Sequence, residues 1–240
     1  MPKKSKEIWK IYKNVFDEFT VRNIFKLMSQ RVIEGLESPV KIGKESNIFT
    51  ALTGEKKKVI AKIYRLESCN FNKMYDYIKK DLRFLHLKKK RREIIFSWVQ
   101  REHRNLLKAR QAGVRVPTPM TYLHNVLMLE YIGDDNIALQ LKDDIPENKR
   151  KFFNELVKNV RNLYKKAGIV HGDLSEFNIL NYKQSPVLID FSQATTVKSP
   201  NADELLQRDI RNICRFFNKI GLKVEEEKVL SRIKGGNKTL

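Results

Sequence analysis

The run His171-Gly172-Asp173-Leu174-Ser175-Glu176-Phe177-Asn178, followed at 188–191 by Leu-Ile-Asp-Phe, constrains this chain more than any other stretch. It sets two acids and an amide at the spacing that phosphoryl transfer from ATP requires. The transferred group needs little covalent help, so positioning and charge neutralisation do most of the work. In that scheme Asp173 accepts or orients the proton of the attacking hydroxyl or water. Asn178 and Asp190 are oxygen ligands for Mg²⁺, which clamps the phosphates. Such a run also arises as a polar turn between short strands, with Asp and Asn serving turn chemistry. Context weighs against that: a periodic helix precedes it, and an apolar strand ending in Asp190 follows twelve residues after Asn178.

Other parts sit upstream in the order this chemistry needs. Val59-Ile60-Ala61-Lys62-Ile63-Tyr64 reads as a buried strand carrying one lysine, like the Val-Ala-Ile-Lys strand of protein kinases. A lysine there touches the α and β phosphates and pairs with a glutamate on the next long helix. Ile95, Trp98, Glu102, Leu106 and Ala109 recur every three or four residues and mark such a helix. Glu102 therefore lies on an apolar stripe, where an unpaired carboxylate is costly, and Lys62 is its natural partner. The alternative puts Glu102 at the stripe's edge, meeting Arg101 or Arg104 at the surface.

Residues 41–49, Lys-Ile-Gly-Lys-Glu-Ser-Asn-Ile-Phe, fall between two predicted strands with one glycine. Gly43, Lys44, Glu45 and Ser46 read as a phosphate-facing loop or, equally, as an ordinary hairpin turn. Position favours the first, because the loop precedes the Lys62 strand by about one hairpin. Val126 to Gly133 is an apolar strand running into a polar break. As a kinase hinge it would present the carbonyl of Glu130 and the amide of Ile132 to adenine; as a plain strand it would end in a turn.

With these residues in view the chain resembles the RIO-type atypical protein kinases over nearly its whole length. Gly-Lys-Glu-Ser-Asn-Ile-Phe at 43–49, Lys62-Ile63-Tyr64-Arg65, Trp98 to Glu102 with Asn105-Leu106, and the 171–178 run carry the likeness. Val15-Phe16-Asp17-Glu18-Phe19-Thr20 and the helix after it resemble the amino-terminal segment of the type-one branch, in an archaeal-style minimal form. The type-two branch would need a winged-helix domain that the residues before Gly43 cannot hold.

The resemblance implies an α+β, two-lobed protein-kinase-like fold. Residues 1–240 form a single domain: an amino-terminal helical segment to 36, a small β-rich lobe over 37–132 and a reduced helical lobe over 133–240. It further implies Mg-ATP, with Mn²⁺ as an alternative ion, serine autophosphorylation and late maturation of the small ribosomal subunit. Asp190 itself becomes an acceptor, forming an aspartyl-phosphate during ATP hydrolysis, as a carboxylate nucleophile can. Asp190-Phe191-Ser192 lacks the glycine of Asp-Phe-Gly, and Ser175 stands where ordinary protein kinases carry lysine. Two other readings stay open: a small-substrate or tRNA-modification-linked kinase, and a largely non-catalytic ATP-binding assembly factor.

Two hundred and forty residues suit one compact two-lobed domain. No run of eighteen apolar residues and no secretory core occur, so the sequence reads as cytoplasmic. Cys69 and Cys214 share no metal or disulfide spacing. A formal charge of +20, from 48 basic and 28 acidic residues, implies an anionic partner larger than ATP. The basic stretches at 79–83 and 88–92 point to RNA held through phosphates, in this context the rRNA of an immature small subunit. No DNA-specific module is recognisable.

Residues 7–36 read as helices with Thr20 as a cap, and Pro146 opens a helix with Phe152, Phe153, Leu156, Val160, Leu163 and Ala167 inward, stopped by Gly168. Two helices over about 203–233 close the chain, leaving no activation segment or peptide-docking helices after Asp190. Asp209 could hydrogen-bond the catalytic run from beneath or be a surface charge.

Overall fold

The computed structural model describes residues 15–67, 71–78 and 90–235. Cys69, the basic stretch at 79–83, Lys88 and Lys89, and the predicted helix before residue 15 lie outside these. The described residues divide into two compact units, one of 15–67, 71–78, 90–100 and 119–131, the other of 101–118 and 132–235.

Helix α1 (Glu18–Ser29) opens the first unit. Its cap is Asp17 rather than Thr20: the Asp17 carboxylate accepts from the Thr20 amide at 2.9 Å and from the Thr20 hydroxyl at 2.6 Å. An acid at that position satisfies an orphan amide and also suits the positive end of the helix. Strands β1 (Gly35–Ile42), β2 (Ser46–Leu52), β3 (Lys58–Tyr64), β4 (Pro119–Leu123) and β5 (Val126–Glu130) form an antiparallel sheet in the order β1-β2-β3-β5-β4. Helix α2 (Phe71–Ile78) and the first ten residues of α3 (Arg91–Gln111) complete the unit.

Strand periodicity sorts the side chains of the central strands. Val59, Ala61 and Ile63 join Phe49, Ala51, Val126 and Met128 on one face, packed with Ile24 and Leu27 of α1 in a single apolar cluster. Each fully buried aliphatic contributes about 1.5–3 kcal/mol. Lys62 alternates to the opposite face, with Ile60 and Tyr64.

The second unit is mainly helical. Helix α4 (Lys149–Asn162) is capped by Asn148, which accepts from the Lys151 amide. Phe152, Phe153, Leu156 and Val160 are buried as their spacing predicts. The α-helix stops at Asn162, however, and Leu163–Ala167 wind as a wider π turn before Gly168 ends the element at φ 65°. Two small ladders follow, β6 (Ile169–Val170) with β9 (Thr195–Thr196) and β7 (Ile179–Tyr182) with β8 (Ser185–Leu188). Among the described residues the only helices after Asp190 are α5 (Ala202–Lys219) and α6 (Glu226–Lys234). No described helix is long and apolar enough to cross a membrane.

Candidate active site

Asp173 lies on the loop between β6 and β7, and short bonds fix that loop to the segment around Asp190. Asn178 donates its side-chain amide to the Asp173 carbonyl at 2.7 Å and to the Asp173 carboxylate at 3.2 Å. The backbone carbonyl of Asn178 accepts from the Ile189 amide at 3.0 Å. His171 Nε2 meets the Ile189 carbonyl at 3.0 Å, and its ring packs edge-on against the buried Phe191. The structure thus brings together Asp173, Asn178 and Asp190, three of the residues selected from sequence.

Asp209 is buried, and its two carboxylate oxygens accept from the amides of Gly172 and Leu174, each at 2.8 Å. This settles the open reading of Asp209 in favour of a loop anchor. Burial pushes its carboxyl up to about 7; the Leu174 and Gly172 amides and the Arg208 guanidinium oppose that rise, while the nearby Asp173 charge adds to it. Arg208 also donates to the Gly172 carbonyl, and Asn212 donates to the Leu174 carbonyl at 3.1 Å. Gly172 has φ 78°, and a Cβ there would lie 3.1 Å from the Gln193 carbonyl oxygen, so glycine suits both the turn and the close approach.

Two further residues hold the Asp190 segment. Asn105, fully buried on α3, donates to the carbonyls of Phe191 at 3.2 Å and Ala194 at 2.9 Å. Ser192 donates its hydroxyl to Asp190 Oδ1 at 2.6 Å, a bond unavailable to the glycine that the Asp-Phe-Gly pattern would place there. Asp190 itself sits at φ 61°, in the left-handed region. Asp209 was only half legible from sequence; Ser192 was visible as a departure without a role. Asn212 was missed, although its place one helical turn after Asp209 would have marked it.

Glu102 is 1 % exposed and its neighbour Arg101 is fully buried, so the surface-edge reading of Glu102 does not hold. In the first unit Lys62 is 5 % exposed, with Nζ 5.2 Å from the Tyr64 ring centroid. The β1–β2 connection is closed by the Gly43 amide donating to the Ser46 carbonyl at 3.1 Å. A Cβ on Gly43 would stand 2.8 Å from that carbonyl oxygen, so the turn admits glycine alone without shifting. Lys44 and Glu45 are exposed at its tip, and the Arg65 amide donates to the Glu45 carbonyl at 3.0 Å. Register pairs Ser46 with Tyr64 and Ile48 with Lys62, so one ladder carries both the turn and the lysine. Glu130 ends β5 in this unit, while Ile132 is buried in the other with its carbonyl accepting from the Ala138 amide at 2.8 Å.

Does this donor set suit a divalent cation? The Asn178 amide nitrogen is engaged by Asp173, so the side-chain oxygen of Asn178 is the atom that could ligate a cation. The Asp190 carboxylate is held in one orientation by Ser192. An oxygen-only set of one or two carboxylates with an amide is what Mg²⁺ takes, its remaining positions going to water and phosphate. Among the described residues no cluster of three His, Cys, Asp or Glu forms a closed metal cage, which such an open site does not need.

The sheet, the helical unit and this loop define an atypical protein-kinase-like fold. A family model described as the RIO domain matches residues 47–230. The RIO-type serine/threonine-protein kinase Rio1 of Haloferax volcanii is 37 % identical over 97 % of this chain and 80 % of its own length. Rio1 of Methanocaldococcus jannaschii is 38 % identical over 85 % of this chain and 70 % of its own. The Rio2 kinase of Chaetomium thermophilum, solved as an ADP/Mg²⁺-phosphoaspartate complex, shares the fold at TM-score 0.67. It is 22 % identical, over 91 % of this chain and 67 % of that one. The chain belongs to the RIO family of atypical serine/threonine protein kinases, and the archaeal Rio1 proteins are among its relatives.

Proposed function

We propose that this protein is a Mg-ATP-dependent serine/threonine kinase and ATPase that autophosphorylates and acts in the cytoplasm on immature small ribosomal subunits. The observation that carries the chemistry is the joint fixing of Asp173, Asn178 and Asp190 by the Asn178 side chain and the Ile189–Asn178 backbone bond. Asp173 takes or orients the proton of the attacking group. Asn178 and Asp190 hold Mg²⁺ through oxygen, and the ion when bound neutralises charge on the phosphates. Lys62 contacts the α and β phosphates, with Glu102 as its partner. Gly43, Lys44, Glu45 and Ser46 cover the phosphates, and the backbone of Glu130 and Ile132 reads adenine. Asp190 also serves as the carboxylate acceptor of an aspartyl-phosphate; the phosphoaspartate of the Chaetomium neighbour supports that assignment. Residues 1–240 act as a single RIO domain. The absence of further helices between Asp190 and α5 among the described residues favours autophosphorylation or an ATPase switch over docking of extended peptides.

The test is ATP turnover by the purified chain with Mg²⁺ or Mn²⁺, with and without immature small subunits, beside Asp173→Ala. Stimulation by subunits that the variant loses is the expected result. Efficient transfer to a small molecule with no subunit effect would replace this proposal by the small-substrate reading.

A further inference from the structure

An aromatic column stands on the first unit, away from Lys62 along the sequence and unused by the chemistry above. Phe19 of α1 and Phe96 of α3 stack with centroids 5.5 Å apart and planes 16° from parallel. His124, in the β4–β5 turn, lies 4.9 Å from Phe96 and 5.2 Å from Phe19. The guanidinium of Arg92 sits 4.9 Å from the Phe19 ring centroid. Both phenyl rings are half-buried, whereas the two polar members of the group, His124 and Arg92, are exposed. Lys26, exposed and two helical turns on from Phe19, is close enough to act on the charge of His124.

The orientation of His124 is fixed by an interior relay. Asp17 accepts from the Thr20 hydroxyl, and Asn125 donates both amide hydrogens, to Thr20 Oγ1 and to the Tyr64 carbonyl, each at 2.8 Å. Asn125 Oδ1 accepts from the Asn23 amide at 3.0 Å. That leaves Asn23 Oδ1 as the acceptor for His124 Nδ1–H, also at 3.0 Å. Three buried polar residues, Thr20, Asn23 and Asn125, thus hold one exposed imidazole, at φ 52°, with Nε2 as its remaining polar atom. A ring needed only to cover Phe96 would require no such fixing.

We infer that this surface binds single-stranded RNA, with an unstacked base on His124 and backbone phosphates on Arg92 and Lys26. Histidine rings and guanidinium planes are natural stacking partners for splayed bases, and stacking tolerates any base. Cations flanking the rings supply the phosphate contacts. Neighbouring charges are partly used: Arg22 pairs with Glu18 at 2.8 Å, Lys90 with Glu93 at 3.5 Å, and Arg91 donates to the Glu67 carbonyl. Arg92 and Lys26 have no ion pair with a described residue. This assignment rests on the reading of an rRNA partner proposed above, and it identifies where on the chain the strand lies.

The experiment measures binding of the full chain to a fluorescent single-stranded RNA 12-mer and to heparin, a polyanion without bases, over a salt series. His124→Ala should weaken RNA binding on the order of tenfold, the loss of one stacked base, and leave heparin unaffected. Arg92→Glu should weaken both and flatten the salt dependence, while Lys108→Glu in the second unit should change neither. Thermal unfolding of each variant separates lost folding from lost binding. RNA bound by the wild type and equally by a folded His124→Ala would overturn the surface while sparing the RNA reading. No RNA binding by the wild type at moderate salt would overturn both. Equal losses for RNA and heparin in His124→Ala would exclude stacking and overturn the inference.

Discussion

Lys62 reaches its position on a strand whose neighbours on both faces are mostly apolar, whereas Asp173 sits on a loop held by side chains that reach in from distant parts of the sequence. In the sheet, support is spread over many contacts and two ladders. A shortened side chain there is felt as a local loss of packing. Around Asp173, four backbone groups of Gly172 and Leu174 depend on Asp209, Arg208 and Asn212, all within one turn and a half of α5. Removing one such partner leaves buried polar groups unpaired, which costs more than a lost contact. Lys62 therefore rests on a redundant framework and the Asp173 loop on a few indispensable bonds.

The sharpest probe of the loop is Asp173→Ala. Phosphoryl transfer should fall by about 10²–10⁴-fold, the range for a general base, with nucleotide affinity preserved. Activity equal to wild type would remove Asp173 from its role. Asp209→Ala strands two buried amides at about 1–3 kcal/mol each, so unfolding in denaturant should shift by roughly 2–6 kcal/mol. Ile60→Val in the sheet should cost only about 0.5–1.5 kcal/mol. Similar losses for the two would erase the contrast between framework and loop.

Titration offers a finer cut. The Asp209 carboxyl ordinarily ionises near 3.8 and is raised to about 7 in the fold, chiefly by burial. Between those values the unfolded chain has released this proton and the folded one retains it. Stability from this group is full below pH 3.8 and falls as pH rises to about 7, by at most about 1.4 kcal/mol per unit. Asp209→Asn should lack that slope, so the stability gap between the two proteins should change across this window. A constant gap from pH 4 to 8 would mean the anchor stays ionised throughout. The smallest effect concerns Ser192→Ala, which removes one hydroxyl bond to Asp190. A several-fold rise in the Mg²⁺ concentration needed for half-maximal activity is expected, with thermal stability nearly unchanged; an unaltered metal requirement would leave Ser192 with packing alone.

Sequence reasoning reached the apolar framework because periodicity records burial directly. The inward faces of β3, of α3 through Ile95, Trp98, Leu106 and Ala109, and of α4 all appear at their predicted positions. The π turn at Leu163–Ala167 did not, since a local widening changes no hydrophobic spacing until the last turn. Nor could periodicity separate Asp17 from Thr20 as the cap of α1, because either side chain can accept an amide. Long-range polar bonds were the least legible. Asn105 reaches 86 and 89 residues ahead to Phe191 and Ala194, and nothing in the local pattern tells such an amide from a surface one. His124 gave no sequence signal at all; its meaning comes only from which rings the fold places beside it.

Position 190 joins two demands that few side chains meet together. Its φ of 61° favours glycine, asparagine or aspartate, whose small or short side chains tolerate the left-handed region. The metal-ligand role proposed for Asp190, by contrast, calls for aspartate or glutamate. Aspartate meets both demands at the least cost. Glutamate, the exchange usually counted as mild, keeps the charge but strains the backbone by about 1–2 kcal/mol, while asparagine keeps the backbone and loses the charge. In the proposed role neither exchange is neutral at this residue, whereas volume-conserving aliphatic swaps in the sheet around Lys62 cost little.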